Sequence, residues 1–232
     1  MLAEVETSRS FAVDAIAFDL DGTLLDTIHD LAAAVNNLLL DERLPPLPED
    51  TIRDLVGKGL SNLLARALAL CGAPVRDPAA MTHLLGRYQD HYAAVLGRET
   101  VAYPGVLHAL EQLRQQGFKL AVVTNKATRF VRPHLEHAGM ADYFAAVVGG
   151  DDATAKKPDA APMLLAARQM GVEPARMLMV GDSANDVDAA RAAGCPVLVV
   201  PYGYTEGRSV QSLAADGIVD SFADVPRWVR RK

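Results

Sequence analysis

Asp19 and Asp21 stand two residues apart where the apolar run AlaIleAlaPhe ends, and Gly22 and Thr23 follow at once. A carboxylate can attack as a nucleophile, and a second one nearby can give a proton to a leaving oxygen and then take one from water. Another apolar run ends in Gly181, Asp182 and Ser183, with Asp186 a turn later, and a third ends in Thr124, Asn125 and Lys126. A further loop carries Lys156, Lys157 and Pro158. Three carboxylates gathered in one crevice repel one another unless a cation sits among them, and oxygen ligands of this kind suit Mg²⁺, which keeps waters and a substrate phosphate in its shell. Phosphoryl transfer asks for positioning and charge neutralisation more than for covalent chemistry, and Thr124 and Lys157 fit those tasks. Gly22, without a side chain, lets the backbone after Asp21 turn tightly against a ligand.

These groups need a rigid mount. Runs rich in Val, Ile and Leu at 13–18, 120–124, 146–148, 177–180 and 197–200 are too short for helices and lack polar alternation, as in strands covered on both faces. Helical spacing separates the last four, at 127–138, 159–170 and 184–193, so βαβ units and a doubly wound parallel α/β sheet are predicted. Ligands of such a sheet bind beyond the carboxyl ends of its strands, where all the polar groups above are placed. After the first run the pattern changes, because roughly the next 75 residues contain no convincing strand. Helical spacing at 27–40, 49–56, 60–70 and 79–96, punctuated by Pro45, Pro46, Pro48, Pro74 and Pro78, predicts an inserted helical domain. Its expected extent is 25–101, with 1–24 and 102–232 forming the α/β core.

Composition narrows the function. The 232 residues carry 23 Lys and Arg against 29 Asp and Glu, a net charge of −6, with no basic block to serve as a nucleic-acid footprint. Cys71 and Cys195 lie far apart with no cysteine-histidine cluster, so neither a disulfide framework nor a zinc site is expected, and a reducing cytoplasm fits. The first apolar run contains Asp14 and Asp19 and follows two glutamates, which suits neither a signal peptide nor a membrane span. A soluble protein acting on a small molecule is the expectation, as a monomer or a homodimer.

AspLeuAspGlyThr at 19–23, ThrAsn at 124–125, LysPro at 157–158 and GlyAspSerAlaAsnAsp at 181–186 resemble, in order, the four motifs of the haloacid dehalogenase superfamily of phosphohydrolases. The resemblance spans nearly the whole chain. It implies that Asp19 is the nucleophile and Asp21 the acid and base, that Thr124 and Lys157 bind the phosphoryl group, and that Mg²⁺ is held by Asp19, Asp182 and the backbone carbonyl of Asp21. Asp186 matches a position that orients water or the lysine. The proline after Lys157 selects it over Lys156. Asp21 speaks against the dehalogenases, the phosphonate-cleaving members and the transport ATPases of the superfamily. Mutases acting on sugar phosphates share both aspartates but often differ where Thr23 and Gly181 stand, so a hydrolase is favoured over a phosphosugar mutase or a non-catalytic phosphoester-binding protein.

The inserted helices resemble the cap that one subgroup places after the first motif. LeuValGlyLysGlyLeu at 55–60, TyrProGlyVal at 103–106, ThrAsnLys at 124–126 and ProTyrGlyTyr at 201–204 resemble the phosphoglycolate phosphatase branch of that subgroup. Its substrate carries a carboxylate close to the phosphate, for which the cap must offer donors or a cation. Lys58 and Arg53 are candidates for that task, with Asn125 beside the phosphate site; as solvated surface charges they would have no such role. Asp26 is expected to cap the next helix and Ser183 to be structural. His134 and His137 share a helix face without a third ligand and are expected at the surface.

Overall fold

The computed structural model of the chain describes residues 10–57, 59–205 and 207–231. In chain order its strands and helices are β1 (Phe11–Ala12), β2 (Ala15–Phe18), β3 (Leu25–Asp26), α1 (Ile28–Asp41), α2 (Glu49–Arg53), α3 (Leu60–Leu70), α4 (Pro78–Val95) and β4 (Val101–Ala102). They continue with α5 (Val106–Gln115), β5 (Lys119–Val123), α6 (Thr128–His137), β6 (Ala146–Val148), α7 (Ala161–Met170), β7 (Met177–Gly181), α8 (Ala184–Ala193), β8 (Val197–Val199), β9 (Gly217–Ile218) and β10 (Val229–Arg230).

Six strands form one sheet in the order β6-β5-β2-β7-β8-β9, every neighbouring pair parallel. The chain winds outward from β2 through β5 to β6, then returns to the other side of β2 at β7. This reversal is the switch point at which an open α/β sheet leaves a crevice beyond its strand ends. Successive residues of β2 serve opposite faces: Ile16 and Phe18 pack with residues of α5 and α6, whereas Ala15 and Ala17 pack with α7 and α8. The second face is built largely of small residues, Ala121, Ala146, Ala166, Ala167, Ala189 and Ala190, so its helices approach the sheet closely. Burying a side chain such as Phe18 on the first face contributes about 1.5–3 kcal/mol.

The expected parallel α/β sheet is therefore present, with element ends shifted by one or two residues and α2 ending at Arg53 rather than 56. Two short strands without a sequence signal join where the chain leaves and re-enters the sheet region. There β3 and β4 pair antiparallel, Leu25 opposite Ala102 and Asp26 opposite Val101. Between them α1 to α4 gather their own apolar cluster, including Leu31, Val35, Leu38, Leu64, Ala67 and Leu84, which reaches Phe130 and Tyr204 outside the insertion. Asp77 starts α4, accepting from the Ala80 amide at 2.8 Å with Pro78 next in the chain. No helix among the described residues is long and apolar enough to cross a membrane.

Candidate active site

The carboxyl end of β2 is pinned by the sheet. The Asp19 amide donates to the Val180 carbonyl of β7 at 3.0 Å, and the amides of Leu24 and Leu25 both donate to the Leu20 carbonyl at 3.0 Å. The chain thus doubles back on itself just past Asp21, with Gly22 at φ +86°. A Cβ on Gly22 would lie 2.4 Å from Asp182 Oδ2, so only glycine lets the turn close over that carboxylate. Thr23 fixes the other Asp182 oxygen with a 2.9 Å hydrogen bond, and the Tyr204 amide donates to Oδ2.

Lys157 reaches the same edge from the loop before α7. Its ammonium lies 3.0 Å from Asp19 Oδ1 and 2.6 Å from Asp186 Oδ1, and donates to the Val123 carbonyl at 2.7 Å. Burial alone would favour the neutral amine, but Asp186 and Asp19 overcome it and hold the group protonated. The second oxygen of Asp186 accepts from the amides of Asp182 and Ser183 and from the Ser183 hydroxyl, forming a capping box at the start of α8. Asp186 is thereby committed to orienting Lys157 and Ser183 to the cap.

Oxygens of Asp19, Asp182 and Asp186 lie within 4.8 Å of one another. Lys157 is shared between Asp186 and Asp19, whereas Asp182 is met by the Thr23 hydroxyl and the Tyr204 amide, so negative charge is in excess between Asp19 and Asp182. Burial, and then the charges of Asp186 and Asp19, push the Asp182 carboxyl well above the usual range. Burial likewise raises Asp19 to about 6 against the pull of Lys157. Lys157 supplies one positive charge against three clustered carboxylates, an excess that a hard divalent cation with oxygen ligands would relieve, so this donor set fits Mg²⁺.

Asp21 lies in the opposite state. Burial would raise it, but the Lys126 ammonium, 2.8 Å from Oδ1 and 3.1 Å from Oδ2, holds its carboxyl below the usual range, and the Thr27 hydroxyl donates to it at 2.8 Å. Lys126 also donates to the Tyr92 hydroxyl of α4, which lies 2.9 Å from His134 Nε2 on α6. With the lysine donating, the phenol is left to donate to an unprotonated Nε2. His134 is 0% exposed, contrary to the surface position expected for it. The reason is the inserted domain: α4 covers the face of α6 that the sheet region alone would leave open, stacking Tyr92 on the imidazole. His137 is exposed, as expected.

These groups surround a cavity of about 210 Å³ lined from the sheet side by Asp19, Asp21, Thr124, Asn125, Lys126 and Asp182, and from the helical side by residues of α3 and α4. Thr124 is 3% exposed. Asn125 donates to the Lys157 carbonyl at 2.9 Å and to the Gly57 carbonyl at 3.2 Å, so it ties the Lys157 loop to the inserted segment. Arg53 stands apart from the lining, beside Glu49 at 3.4 Å and over the Tyr204 ring at 5.4 Å. Lys58 lies outside the described residues. Asp26 does accept from the Ile28 amide, at 3.3 Å, and in addition takes the Tyr204 hydroxyl at 2.7 Å. Sequence reasoning brought Lys126 to the sheet edge and Tyr204 into a motif without giving either a role, and it did not single out Tyr88 or Tyr92. For Lys126 the signal was present, since it directly follows Thr124 and Asn125; tyrosines at helical spacing read equally well as packing.

A family model described as haloacid dehalogenase-like hydrolase matches residues 16–200. A phosphoglycolate phosphatase of Nitrosospira multiformis is 45% identical over 94% of this chain and 96% of its own. That of Caulobacter vibrioides is 44% identical over 91% and 89%. The crystal structure of a predicted phosphoglycolate phosphatase from Haemophilus somnus superposes with a TM-score of 0.87 at 34% identity, covering 93% of this chain and 97% of that one. With four ordered motifs meeting at one sheet edge and relatives alike over nearly their whole length, the chain belongs to the haloacid dehalogenase-like hydrolase family.

Proposed function

We propose that this phosphatase hydrolyses 2-phosphoglycolate to glycolate and phosphate with Mg²⁺, through a phosphoryl group carried on Asp19. The observation that carries the reading is the pairing of two differently held carboxylates on one strand end. Asp19 faces Lys157 and Asp182, whereas Asp21, two residues on, is held by Lys126 and Thr27. Asp19 Oδ attacks phosphorus, with Thr124 and Lys157 neutralising the phosphoryl oxygens. Asp19, Asp182 and the Asp21 carbonyl would hold the metal, which supplies charge neutralisation at the phosphoryl group. Asp21 protonates the leaving oxygen and then takes a proton from water to release phosphate. Lys126 favours the carboxylate form that the second step uses. Negative charge arriving with the substrate raises the Asp21 carboxyl and competes for Lys126, which favours the acid form for the first step.

We assign 25–101 to a cap that selects the substrate, and 1–24 with 102–232 to the catalytic core. The names of the relatives support the substrate, and the apolar contact of Phe130 and Tyr204 with the helical cluster supports closure of the cap over the site. The two free cysteines, Cys71 and Cys195, suit a reducing cytoplasm. Phosphate release measured for wild type and Asp19→Asn with and without Mg²⁺ tests the chemistry: the variant should be inactive, and equal rates would remove Asp19 from the nucleophile's role. A panel of small phosphate esters tests the substrate, and another ester preferred by more than about tenfold in kcat/KM, about 1.4 kcal/mol of transition-state preference, would displace 2-phosphoglycolate.

A further inference from the structure

Tyr88 and Tyr92 stand one turn apart on α4, their rings stacked at 5.8 Å, and both line the cavity. Their hydroxyls differ. That of Tyr92 is engaged twice, by Lys126 and by His134. That of Tyr88 is closed to solvent and has no hydrogen-bond partner among the described residues, in a side chain that is 1% exposed. A buried hydroxyl without a partner costs stability, and such a group in a native fold calls for a reason. Packing gives none, because phenylalanine would fill the same space without that cost. Burial, and then the charge of Asp21, push the phenol far above its usual range, so the hydroxyl keeps its proton and remains a donor.

We propose that Tyr88 is a specificity-determining residue whose hydroxyl donates a hydrogen bond to the anionic end of the leaving group, the carboxylate of 2-phosphoglycolate. This rests on the substrate reading above. The order of groups in the site gives the placement. Phosphorus lies between Asp19 and the leaving oxygen, and the leaving oxygen faces Asp21. The rest of the leaving group therefore extends past Asp21 toward the helical wall of the cavity, to which Tyr88 belongs. Lys126 already serves Asp21 and Tyr92, whereas the buried Tyr88 hydroxyl serves no group among the described residues and is free to meet a carboxylate arriving at that wall. An ester lacking the carboxylate leaves Tyr88 unpaired and draws nothing from it.

The test compares kcat/KM of wild type and Tyr88→Phe on 2-phosphoglycolate and on ethyl phosphate, which keeps the two-carbon chain and lacks the carboxylate. A hydrogen bond to a charged group is strong enough that its loss should lower kcat/KM on 2-phosphoglycolate about tenfold or more. On ethyl phosphate the variant should stay within about twofold, and its melting temperature should equal or exceed that of wild type because an unpaired hydroxyl has been removed. Equal losses on both esters, or no loss on either, overturn the assignment. The substrate reading fails separately, if wild type turns over 2-phosphoglycolate no better than ethyl phosphate. Should wild type prefer a different anionic ester, loss of that preference in Tyr88→Phe upholds the role of Tyr88, and its retention overturns it.

Discussion

His134→Gln isolates a pH dependence that the fold imposes away from the Asp19, Asp182 and Asp186 cluster. The imidazole faces the Tyr92 hydroxyl and ring from α4, Lys126 from the loop after β5, Asp21 and Asp30 as the nearest acidic charges, and His137 on its own helix. Burial, and then the Lys126 ammonium, push it down from 6.5 to about 4, against the pull of the two aspartates. Between those values the unfolded chain binds a proton that the folded chain refuses. More protons on the unfolded state mean that stability rises with pH through this window and is lost on acidification. The gap between 6.5 and about 4, at 1.36 kcal/mol per pH unit, comes to about 3 kcal/mol once the pH lies below both values, and to about 2 kcal/mol at pH 5. Glutamine keeps an acceptor for the Tyr92 hydroxyl and does not titrate. Urea unfolding of both proteins from pH 7.5 to 5 gives a difference in which the carboxylates common to both cancel. Wild type should lose about 2 kcal/mol relative to the variant over that range. A difference constant to within about 0.5 kcal/mol would refute the reasoning, because His134 would then titrate alike in both states.

Two other perturbations test the scaffold of the site. Gly22→Ala places a methyl group 2.4 Å from Asp182 Oδ2 at a φ of +86°, so Asp182 must move. The Mg²⁺ concentration for half-maximal phosphate release should rise about tenfold or more, as for other disturbed metal surroundings, and an unchanged titration would mean that the turn does not position Asp182. Asp30, 2% exposed, accepts from the Gly97 amide at 2.8 Å, the Glu99 amide at 3.1 Å and the Thr100 hydroxyl at 2.7 Å, fastening α1 to the segment that leaves the helical domain. Asp30→Asn turns an acceptor toward donors as a donor itself, and should cost about 2 kcal/mol in urea unfolding; a loss below about 0.5 kcal/mol would show those bonds to be dispensable.

What the sequence made legible follows from the range of each signal. The strands read clearly because burial on both faces leaves continuous apolar runs, and parallel topology then sends their carboxyl ends to one edge, so Asp19, Thr124 and Asp182 could be grouped without a structure. The two-residue pairing of β3 with β4 carries no periodicity, and no reading of spacing would find it. His134 was misjudged for a different reason: its burial comes from α4, a helix of the inserted domain, and a residue's own helix face says nothing about a cover supplied from 42 positions away.

The electrostatic contrast within the first motif is hidden in the same way. Asp19 and Asp21 are the same residue type on one strand end, yet burial lifts Asp19 to about 6 while Lys126, 105 positions along the chain from Asp21, holds Asp21 low. The difference between them is thus written by partners from two other loops, Lys157 for one carboxylate and Lys126 for the other. Lys126 is in turn fastened to α4 through Tyr92. Any movement of α4 away from the sheet must therefore break or stretch a contact that bears on the charge of Asp21, so the helical domain reaches Asp21 through one phenol as well as shaping the cavity.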